Sequence, residues 1–501
     1  MTSQQRLVLV VAILGSFVAF LDSAIVNVAL PAIQRDLGGG LAAQQWVVDA
    51  YLLTLGSLIL IAGSLSDLLG RKKILSLGLM GFGVASLLCA FAPNSTSLII
   101  FRALQGIAGA LLVPSSLAMI ISAFSGPAQG KAIGSWTAWT GIAFVLGPLV
   151  GGILVDQASW RWIFAINVIP IAITLYLMRN IEVVKDTGHK TPVDYFGALL
   201  CVLGLGGPVY ALIEQSHYGW GSPTIYLPLV LGVAIFAGFL VYEKKAEHPM
   251  LPLSLFKNHN FSVGNVATLS IYAGLSAATF ILVVFLQQVG GYTALQAGLA
   301  GLPITLIMFV LSPRMGALAG KYGPRLFMGT GPIIGAVGFA LLLMTNAQAN
   351  YWTQVFPGIV VFGIGLSVTV APLTAAILGD VPKEQAGIAS AVNNAVARIA
   401  GLLAVAAVGA VIAAQFAHIV DQKMASTAVS HGAVDSAKQV SLETTPPAPY
   451  QHDQRFKDAL TSASVTAFHS GLITVVGLLA GGGVISLIGI RNPQKPAKAE
   501  A

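Results

Sequence analysis

An aspartate lies inside the first apolar run of the sequence. Asp22 occurs about two-thirds of the way along the run from Leu7 to Leu30. At about 1.5 Å of rise per residue, a helix of this length crosses a hydrocarbon core of roughly 30 Å. A carboxylate in such a helix costs several kcal/mol unless it faces a watery cavity or a partner. Asp22 is therefore a candidate functional residue.

A second charge inside an apolar run is the guanidinium of Arg102. Arg102, Gln105, Gly106 and Gly109 follow one another at i, i+3, i+4 and i+7, which places them on one face of a helix. The glycines allow a neighbouring helix to approach, and the guanidinium must be paired or wet. Arg102 is a candidate counter-ion for Asp22, or a member of a purely structural ion pair.

Two more charges fall in apolar runs. Asp49 follows Trp46 by three residues and is either a second intramembrane acid or a residue at headgroup level. Arg398 recurs at helical spacing with Ser390 and Asn394, which indicates the inner face of one helix.

Composition assigns the chain to the polytopic membrane proteins. It has 501 residues, of which 56% are hydrophobic and only 9% charged, whereas soluble domains are about 25% charged. Cys89 and Cys201 both lie in apolar runs, so neither a disulfide framework nor a zinc site is expected. Soluble-enzyme and Walker-type motifs are absent from the sequence. We expect no enzyme activity, no cofactor and no metal.

The apolar runs that must position these residues number fourteen. Their approximate bounds are 7–30, 45–65, 74–92, 97–121, 132–154, 162–178, 195–213, 223–242, 262–288, 295–311, 326–345, 353–378, 386–416 and 466–490. The first run is too long for a signal peptide and lacks a small-residue cleavage site, so it is expected to be a retained helix.

The basic residues predict the orientation. With both termini inside, 18 of the 26 lysines and arginines fall in inside segments and six outside, while Arg102 and Arg398 lie within helices. This bias predicts N-in and C-in topology, and it explains the net charge of +7 without a nucleic-acid partner.

An internal repeat divides the chain. The string Gly63-Ser-Leu-Ser-Asp67-Leu-Leu-Gly70-Arg71 has a degenerate echo from Gly316 to Arg325. Parallel repeats of six helices are the plan of one transporter class. We therefore predict an all-α membrane protein with a six-helix bundle at 1–180, an inserted helix pair with linkers at 181–260 and a second six-helix bundle at 261–501.

The loop after the second run resembles the hallmark loop of the major facilitator superfamily. The resemblance rests on Gly63, Leu65, Asp67, Gly70 and Arg71. It implies that the loop aspartate latches the two bundles on the cytoplasmic side in the outward-open state, at the N-terminus of a helix that starts near Gln385. The string of Arg102, Gln105, Gly106 and Gly109 resembles the proton-relay motif on the fourth helix of the same superfamily, which implies that role for Arg102. Gly320 stands where an acid would match in the echo loop, so no second latch is expected.

The fifth run resembles the antiporter motif of the exporters in this superfamily. The string combines a kinking proline with small residues on one side, at Gly141, Gly147, Pro148, Gly151 and Gly152. This resemblance implies export rather than uptake, although small residues at such spacing also serve simple helix packing.

Further strings resemble the drug:proton antiporters with fourteen helices. They are Leu21 to Pro31, Trp46 to Tyr51, Trp160 to Asn167, and the stretch of Glu214, Tyr218 to Trp220 and Leu251 to Phe256 in the inserted region. The resemblance covers nearly the whole chain and agrees with the count of fourteen apolar runs.

Polar residues in the predicted bundles are candidates for a largely apolar substrate cavity. The candidates are Gln105, Asn265, Tyr272, Gln287, Gln288, Asn394 and Arg398. For each of them except Arg398, a hydrogen bond that packs two helices is an equally good interpretation.

The one long exterior segment, 417–463, is polar and contains several prolines. It is either an ordered cap or a loosely ordered loop, and its composition favours the loop. Phe456, Leu460 and Val465 predict a short helix that leads into the last span.

These observations predict a proton-coupled antiporter that exports amphipathic, cationic drugs or toxic compounds by alternating access. Its partners would be protons, a small-molecule substrate and the bilayer of a bacterial inner membrane, and we expect a monomer. The alternatives are a dedicated exporter of one metabolite, lipid or antibiotic, an uptake symporter, and a sensor without flux.

Overall fold

The computed structural model describes residues 1–181, 192–379, 381, 385–425 and 429–492, apart from the side chains of Asp67, Pro127, Ala375, Leu378, Ala386 and Gly387. Within these ranges the regular secondary structure is helical. The predicted all-α membrane fold is therefore confirmed.

The N-terminal helices run up and down along one axis. Their bounds are α1 Ser3–Leu37, α2 Gly40–Leu69, α3 Arg71–Ala90, α4 Ser95–Ala123, α5 Gly126–Gly141, α6 Ala143–Gln157, α7 Trp162–Ala165 and α8 Val168–Met178. We name the end of the fold at which α1 begins the Ser3 end, and the opposite end, at which α1 finishes, the Leu37 end.

The inserted pair and the C-terminal helices continue the pattern. Their bounds are α9 Tyr195–Tyr218, α10 Pro223–Lys245, α11 His259–Gln288, α12 Ala294–Ala300, α13 Leu302–Tyr322, α14 Pro324–Leu341, α15 Phe356–Gly379, α16 Ala386–Met424, α17 His431–Gln439 and α18 Gln454–Gly489. The start of α16 at Ala386 agrees with the start predicted near Gln385.

Local sequence signals set several helix ends. Thr2 and Gln5 form a capping box at the start of α1, and Asn94 accepts a hydrogen bond from the backbone of Ser97 at the start of α4. Between α1 and α2, Gly38 and Gly39 have φ angles of 76° and 92°. Glycine adopts this left-handed region without the Cβ clash of other residues, so the chain reverses sharply there.

Thirteen of the described helices are long and apolar enough to span a membrane. The one predicted run without such a helix is the sixth, which corresponds to Trp162–Met178, a shorter apolar stretch that is broken between α7 and α8. Each predicted run therefore contains a helix, but length and composition alone establish thirteen spans.

The helices pack in two groups that meet along α1, α2, α11 and α16. In the first group α2 packs on α4 and α1 on α6, and in the second group α14 packs on α15 and α11 on α16 and α18. The inserted pair, α9 and α10, packs together and also against α2 and α16. This arrangement places Asp22, Asp49, Arg102 and Arg398 on helices in the middle of the molecule.

The polar segment 417–463 contains ordered structure, and the prediction of a loosely ordered loop was wrong for its described part. In α17 the apolar side chains of Ala433, Val434 and Ala437 are buried, and Lys438 forms ion pairs with Asp421 and Asp435, each at 2.8 Å. Composition misleads here because a short amphipathic helix buries few residues. The predicted short helix at Phe456 is the first part of the continuous helix α18.

Candidate functional site

Asp22 and Arg102 form a buried ion pair between α1 and α4. Asp22 Oδ2 and Arg102 Nη1 are 2.6 Å apart, and the two residues are 0% and 1% exposed. The sequence indicates that this carboxylate faces either a watery cavity or a partner. In this conformation it faces a partner, Arg102.

The second oxygen of the Asp22 carboxylate is also fully engaged. Asp22 Oδ1 accepts hydrogen bonds from Gln105 Nε2 at 2.9 Å and from Asn167 Nδ2 at 3.0 Å. Gln105 Nε2 also lies 2.9 Å from Ser86 Oγ. The carboxylate therefore joins α1 to α4 and to the junction of α7 and α8, and we call Asp22, Arg102, Gln105, Asn167 and Ser86 the buried network.

Arg102 is held from several sides. Its Nε donates to the carbonyl of Val47 at 2.9 Å, and its guanidinium lies 4.3 Å from the centroid of the Tyr51 ring and 5.8 Å from that of Phe164. Aromatic faces attract cations, most strongly where water is excluded. Removing one member of a buried ion pair leaves the other uncompensated, which costs about 3–5 kcal/mol. The pair is thus a costly element to disturb.

Close helix approach brings these groups together. A Cβ added to Gly106 would lie 2.1 Å from Thr54 Oγ1 and 2.4 Å from the carbonyl of Tyr51. Only glycine therefore lets α4 approach α2 closely enough for Arg102 to reach Val47. Gly106 lies on the helix face that its spacing from Arg102 and Gln105 predicts.

Two members of the buried network were not predicted as site residues. Asn167 lies within the Trp160–Asn167 string that carried a family resemblance, so a polar side chain after an apolar stretch was the available signal. Ser86 gave no signal, because a serine in a membrane helix usually bonds to its own helix backbone.

Asp49 is buried without a polar partner. It is 0% exposed, and neither carboxylate oxygen has a hydrogen bond within the described part of the chain. On the same face of α2, Gln45 donates to the carbonyl of Val405 at 2.8 Å, and Gly56 lies against Arg398. Asp49 therefore lies on the face of α2 that packs on α16, buried among protein side chains. Its role as a second intramembrane acid stays a prediction.

The glycines of the string from Gly141 to Gly152 allow α6 to pack closely between α1 and α12. Added Cβ atoms would lie 2.6 Å from Ala24 Cβ at Gly147, 2.5 Å from Ile25 at Gly151 and 2.4 Å from the Leu295 Cα at Gly152. Gly141 has nothing within 4 Å. The break between α5 and α6, from Gly141 to Ala143, lies about one and a half turns before Pro148.

Three predicted cavity residues make contacts between helices in this conformation. Gln105 belongs to the buried network, because its amide bridges Asp22 and Ser86. Asn265 is 3% exposed and accepts a hydrogen bond from Asn393 at 3.2 Å, which joins α11 to α16. Gln287 donates to the carbonyl of Val28 at 2.9 Å. In each case packing between helices satisfies the amide.

Gln288 takes part in closing the Leu37 end. It donates to the side-chain oxygen of Gln34, which also accepts from Gln44. Nearby, Asp156 at the end of α6 accepts hydrogen bonds from the backbone of Ala294 at 3.0 Å and Leu295 at 2.9 Å. These bonds connect the first helix group with the second, so the molecule is closed at this end.

Arg398, Tyr272 and Asn394 lie where the two helix groups face each other. The Arg398 guanidinium is 5.8 Å from the centroid of the Phe20 ring, Tyr272 lies near it, and Asn394 is exposed. No ion pair or hydrogen bond of Arg398 occurs among the described residues. These three residues fit the predicted cavity wall better than the others.

The loop motif between α2 and α3 is described in part. Gly70 has a φ of 96° between α2 and α3, a Cβ added to Gly63 would meet nothing within 4 Å, and Arg71 Nη1 donates to the carbonyl of Ala118 at 3.4 Å. The side chain of Asp67 lies outside the described residues. The latch remains a prediction.

Comparison with known proteins gives a consistent result. The family model described as Major Facilitator Superfamily matches residues 12–405. The puromycin resistance protein pur8 of Streptomyces alboniger is 34% identical over 433 residues, which are 85% of this chain and 86% of that protein. The multidrug resistance protein Stp of Mycobacterium tuberculosis (strain CDC 1551 / Oshkosh) is 33% identical over 83% of this chain and 77% of its own length.

Other relatives and solved structures agree. The methylenomycin A resistance protein of Bacillus subtilis (strain 168) is 35% identical over 81% of this chain and 87% of its own length. A bacterial homologue of the human lysosomal transporter Spinster, solved inward-facing and unoccupied, superposes with a TM-score of 0.67 at 14% identity, covering 98% of this chain and 100% of that one. A D-xylose-proton symporter gives 0.61 at 13% identity over 98% and 99%. At these identities the structures establish the fold alone.

Proposed function

Because the chain belongs to the Major Facilitator Superfamily, it is a multi-span membrane transporter of small molecules, and we propose that it exports amphipathic compounds in exchange for protons. Several of its bacterial relatives are named as multidrug or antibiotic resistance proteins, which supports export from the cell across the inner membrane. The proposal includes alternating access, with the Leu37 end on the outside.

The buried Asp22–Arg102 pair is the observation that carries the proton-coupling part of this proposal. A proton on Asp22 removes the negative charge that Arg102 neutralises, so the 2.6 Å contact loses its attraction. The same carboxylate accepts hydrogen bonds from Gln105 and Asn167. Protonation of Asp22 therefore also weakens the connection from α1 to α4 and to the start of α8. A change of helix packing would then accompany each proton that binds or leaves.

The contacts at the Leu37 end suggest how access alternates. In the present conformation α6 and α12 pack backbone to backbone at Gly152 and Leu295, and glutamines join α1, α2 and α11. An outward-open state requires these contacts to separate. We propose that Asp67 and Arg71 stabilise that state from the opposite end, at the start of α16.

The acidic side chains Asp22 and Asp49 favour a cationic substrate. A cationic compound and protons would compete for Asp22, which is the simplest form of antiport, and Asp49 is a second acid for the same competition. In the present conformation both acids are buried. A cation can therefore replace a proton only after the buried network opens.

A dedicated exporter of one compound is the second candidate. Some relatives are named for single compounds, such as puromycin and methylenomycin A, whereas Stp is named for multidrug resistance. A chemically varied panel separates the two candidates, because a dedicated exporter responds to one scaffold only.

Inverted membrane vesicles provide the test of the proposal. A pH gradient is imposed, and cationic dyes, biocides and antibiotics are added one at a time. Substrate-induced collapse of the gradient, together with uptake into the vesicles, is the expected result. Substrate binding without any flux would contradict transport, and flux that is insensitive to the gradient would contradict proton coupling.

Replacing Arg398 should change the charge preference of transport. We expect Arg398→Gln to raise efflux of monovalent cationic dyes several-fold relative to neutral compounds, because a cation facing the cavity repels cationic substrates by roughly 1 kcal/mol or more at close range. Lys423→Gln, a change of an exposed cation at the Leu37 end, is the control. An unchanged ratio of cationic to neutral efflux would place Arg398 outside the substrate path.

Replacing Asp49 should affect doubly charged substrates more strongly than singly charged ones. We expect Asp49→Asn to insert and fold, because no hydrogen bond to its carboxylate is lost within the described residues. Efflux of divalent cations should fall at least about tenfold more than efflux of monovalent cations, equivalent to a 1.4 kcal/mol difference. Equal losses for both substrates would argue against contact between Asp49 and the substrate.

A further inference from the structure

Two carboxyl groups, each with one buried oxygen, lie at the Ser3 end of the inserted helix pair. Asp194 precedes the first residue of α9, and Glu243 lies in the last turn of α10 and is 2% exposed. A Cβ added to Gly197 would lie 2.5 Å from Asp194 Oδ2 and 2.6 Å from Glu243 Oε1. Both oxygens thus approach the same point beside α9, and they face each other.

These two oxygens have no donor. Asp194 Oδ2 and Glu243 Oε1 are buried and make no hydrogen bond within the described part of the chain. The other oxygen of each carboxyl group is engaged: Asp194 Oδ1 accepts from the Gly197 backbone at 2.8 Å and from the Tyr242 hydroxyl at 3.0 Å, and Glu243 Oε2 accepts from the Leu251 backbone at 2.9 Å. Two facing acceptors without a donor repel each other.

No nearby cation compensates the pair among the described residues. From α10, Tyr242 donates to Asp194 while Lys244 and Lys245 are exposed, and from the following segment Glu247 and His248 line an adjacent cavity. From α9, Cys201 lies about two turns away, beside Ser57 of α2. On α2 and α16, the charged residue Arg398 lies beside Gly56, away from the carboxyl pair. Asp49 lies about two turns farther along α2 toward the Leu37 end. The pair therefore needs something bound between its oxygens.

We propose that Asp194 and Glu243 form a binding site for one proton, which they share in a hydrogen bond between Asp194 Oδ2 and Glu243 Oε1. When two carboxylates approach each other in a site shielded from water, their repulsion favours protonation of one of them. A metal ion fits less well, because hard cations such as Ca²⁺ require about six to eight oxygen ligands and the described residues contain no group of three metal-binding side chains. This proposal is independent of the proposed antiport.

The shared proton holds three segments together. It joins α9 to α10, and Glu243 in turn holds the backbone of Leu251. Leu251 packs against both the apolar cluster of the inserted pair and the cluster around Leu255 and Phe261 at the Ser3 end of α11. When the proton leaves, repulsion between the carboxylates would loosen the junction between the inserted pair and α11.

A route for the proton is present. Asp194 and Tyr242 line a cavity of about 230 Å³ whose other lining residues include Glu247 and His248, both exposed. Water in that cavity can exchange protons with the pair from the Ser3 end. The site would therefore respond to pH on that side of the membrane.

Infrared spectroscopy and hydrogen exchange on the purified full chain test this proposal. Wild-type protein should show the carbonyl stretch of a protonated carboxyl group that titrates away as the pH is raised from about 5 to about 9, a range above the ordinary carboxyl pKa values. In parallel, amide exchange around Leu251, corrected for its intrinsic pH dependence, should become at least about tenfold faster.

The variants make the assignment specific. Glu243→Gln and Asp194→Asn should each lose the infrared band and the pH-dependent exchange, since an amide can donate permanently to the remaining carboxylate. Glu247→Gln, a change of a neighbouring exposed acid, and Asp22→Asn should keep both signals. If one of the two pair variants does not fold, the other still decides the assignment.

Three results would overturn the proposal. The first is a wild-type protein with neither the band nor pH-dependent exchange. The second is persistence of both signals in Glu243→Gln or Asp194→Asn. The third is restoration of slow exchange at high pH by Na⁺, K⁺ or Ca²⁺ but not by a bulky organic cation, which would assign the site to a metal ion.

Discussion

Replacing Asp22 by asparagine is expected to reduce gradient-driven efflux to background. Asparagine keeps the size of the side chain and can still bond to Gln105 and Asn167, but it can neither carry a proton nor neutralise Arg102. The coupling step is therefore lost. The measurement is substrate uptake into inverted vesicles with an imposed pH gradient, normalised to the amount of inserted protein.

Stability separates a coupling role from a folding role. Asp22→Asn leaves the guanidinium of Arg102 buried without its counter-ion, so a lower thermal midpoint is expected alongside the loss of transport. In the double variant Asp22→Asn/Arg102→Gln, the uncompensated charge is gone and stability should recover by about 2 kcal/mol or more. Transport should not recover.

A surface acid is the matched control for Asp22. Asp36 bonds to Arg161 at 3.2 Å near the end of α1, where about half of its side chain is exposed. Asp36→Asn should keep most of the transport activity, because exposed ion pairs contribute about 0–1 kcal/mol. Undiminished transport by Asp22→Asn would refute the central proposal, and recovery of transport in the double variant would show that Asp22 only balances a charge.

Replacing Gly152 by valine is expected to prevent closure of the Leu37 end. A Cβ at this position would lie 2.4 Å from the Cα of Leu295 and 2.8 Å from its backbone nitrogen, so α6 and α12 would have to separate. Because backbone cannot move aside as a flexible side chain does, the protein should remain open at this end and transport should fall to background. Folding of each helix group should persist, since the clash lies between them.

Cysteine accessibility measures the expected opening. Val28 is 1% exposed in the closed conformation, and the native Cys89 and Cys201 are buried. A Val28→Cys reporter should react with an impermeant thiol reagent at least about tenfold faster in the Gly152→Val background, as expected for exposure of a previously protected site.

The same glycine-rich string supplies the control. A Cβ at Gly141 would meet nothing within 4 Å, so Gly141→Val should leave both transport and reporter labelling close to wild type. Equal losses for the two variants would mean that general damage to the helix, rather than the contact with Leu295, explains the effect. Active transport by Gly152→Val would refute the closing role of this contact.

The fold class was predictable because hydropathy and charge act locally along the chain. Each apolar run became a helix, since a backbone in lipid must satisfy its own hydrogen bonds. The sixth run shows the limit of this argument. Trp162–Met178 is apolar apart from Asn167 and Thr174, and its helix is broken near Asn167, whose side chain donates a hydrogen bond to the carboxylate of Asp22.

The candidate pairing of Asp22 and Arg102 was also predictable, because an intramembrane charge requires a partner whatever the fold. The roles of Gln105, Gln287 and Gln288 were not. An amide serves equally well in a cavity wall or between helices, and only the rotation and approach of the helices decide which donors and acceptors meet.

The amino-acid sequence by itself determined that this protein spans a membrane many times, that it has intramembrane charges, and that it resembles exporters. The tertiary structure alone decided that Asp22 is paired and occluded, that Asp49 faces α16 without a hydrogen-bond partner among the described residues, and that Asp194 approaches Glu243. Those contacts join residues far apart in the chain. They depend on how helices cross, which the periodicity within any one helix does not encode.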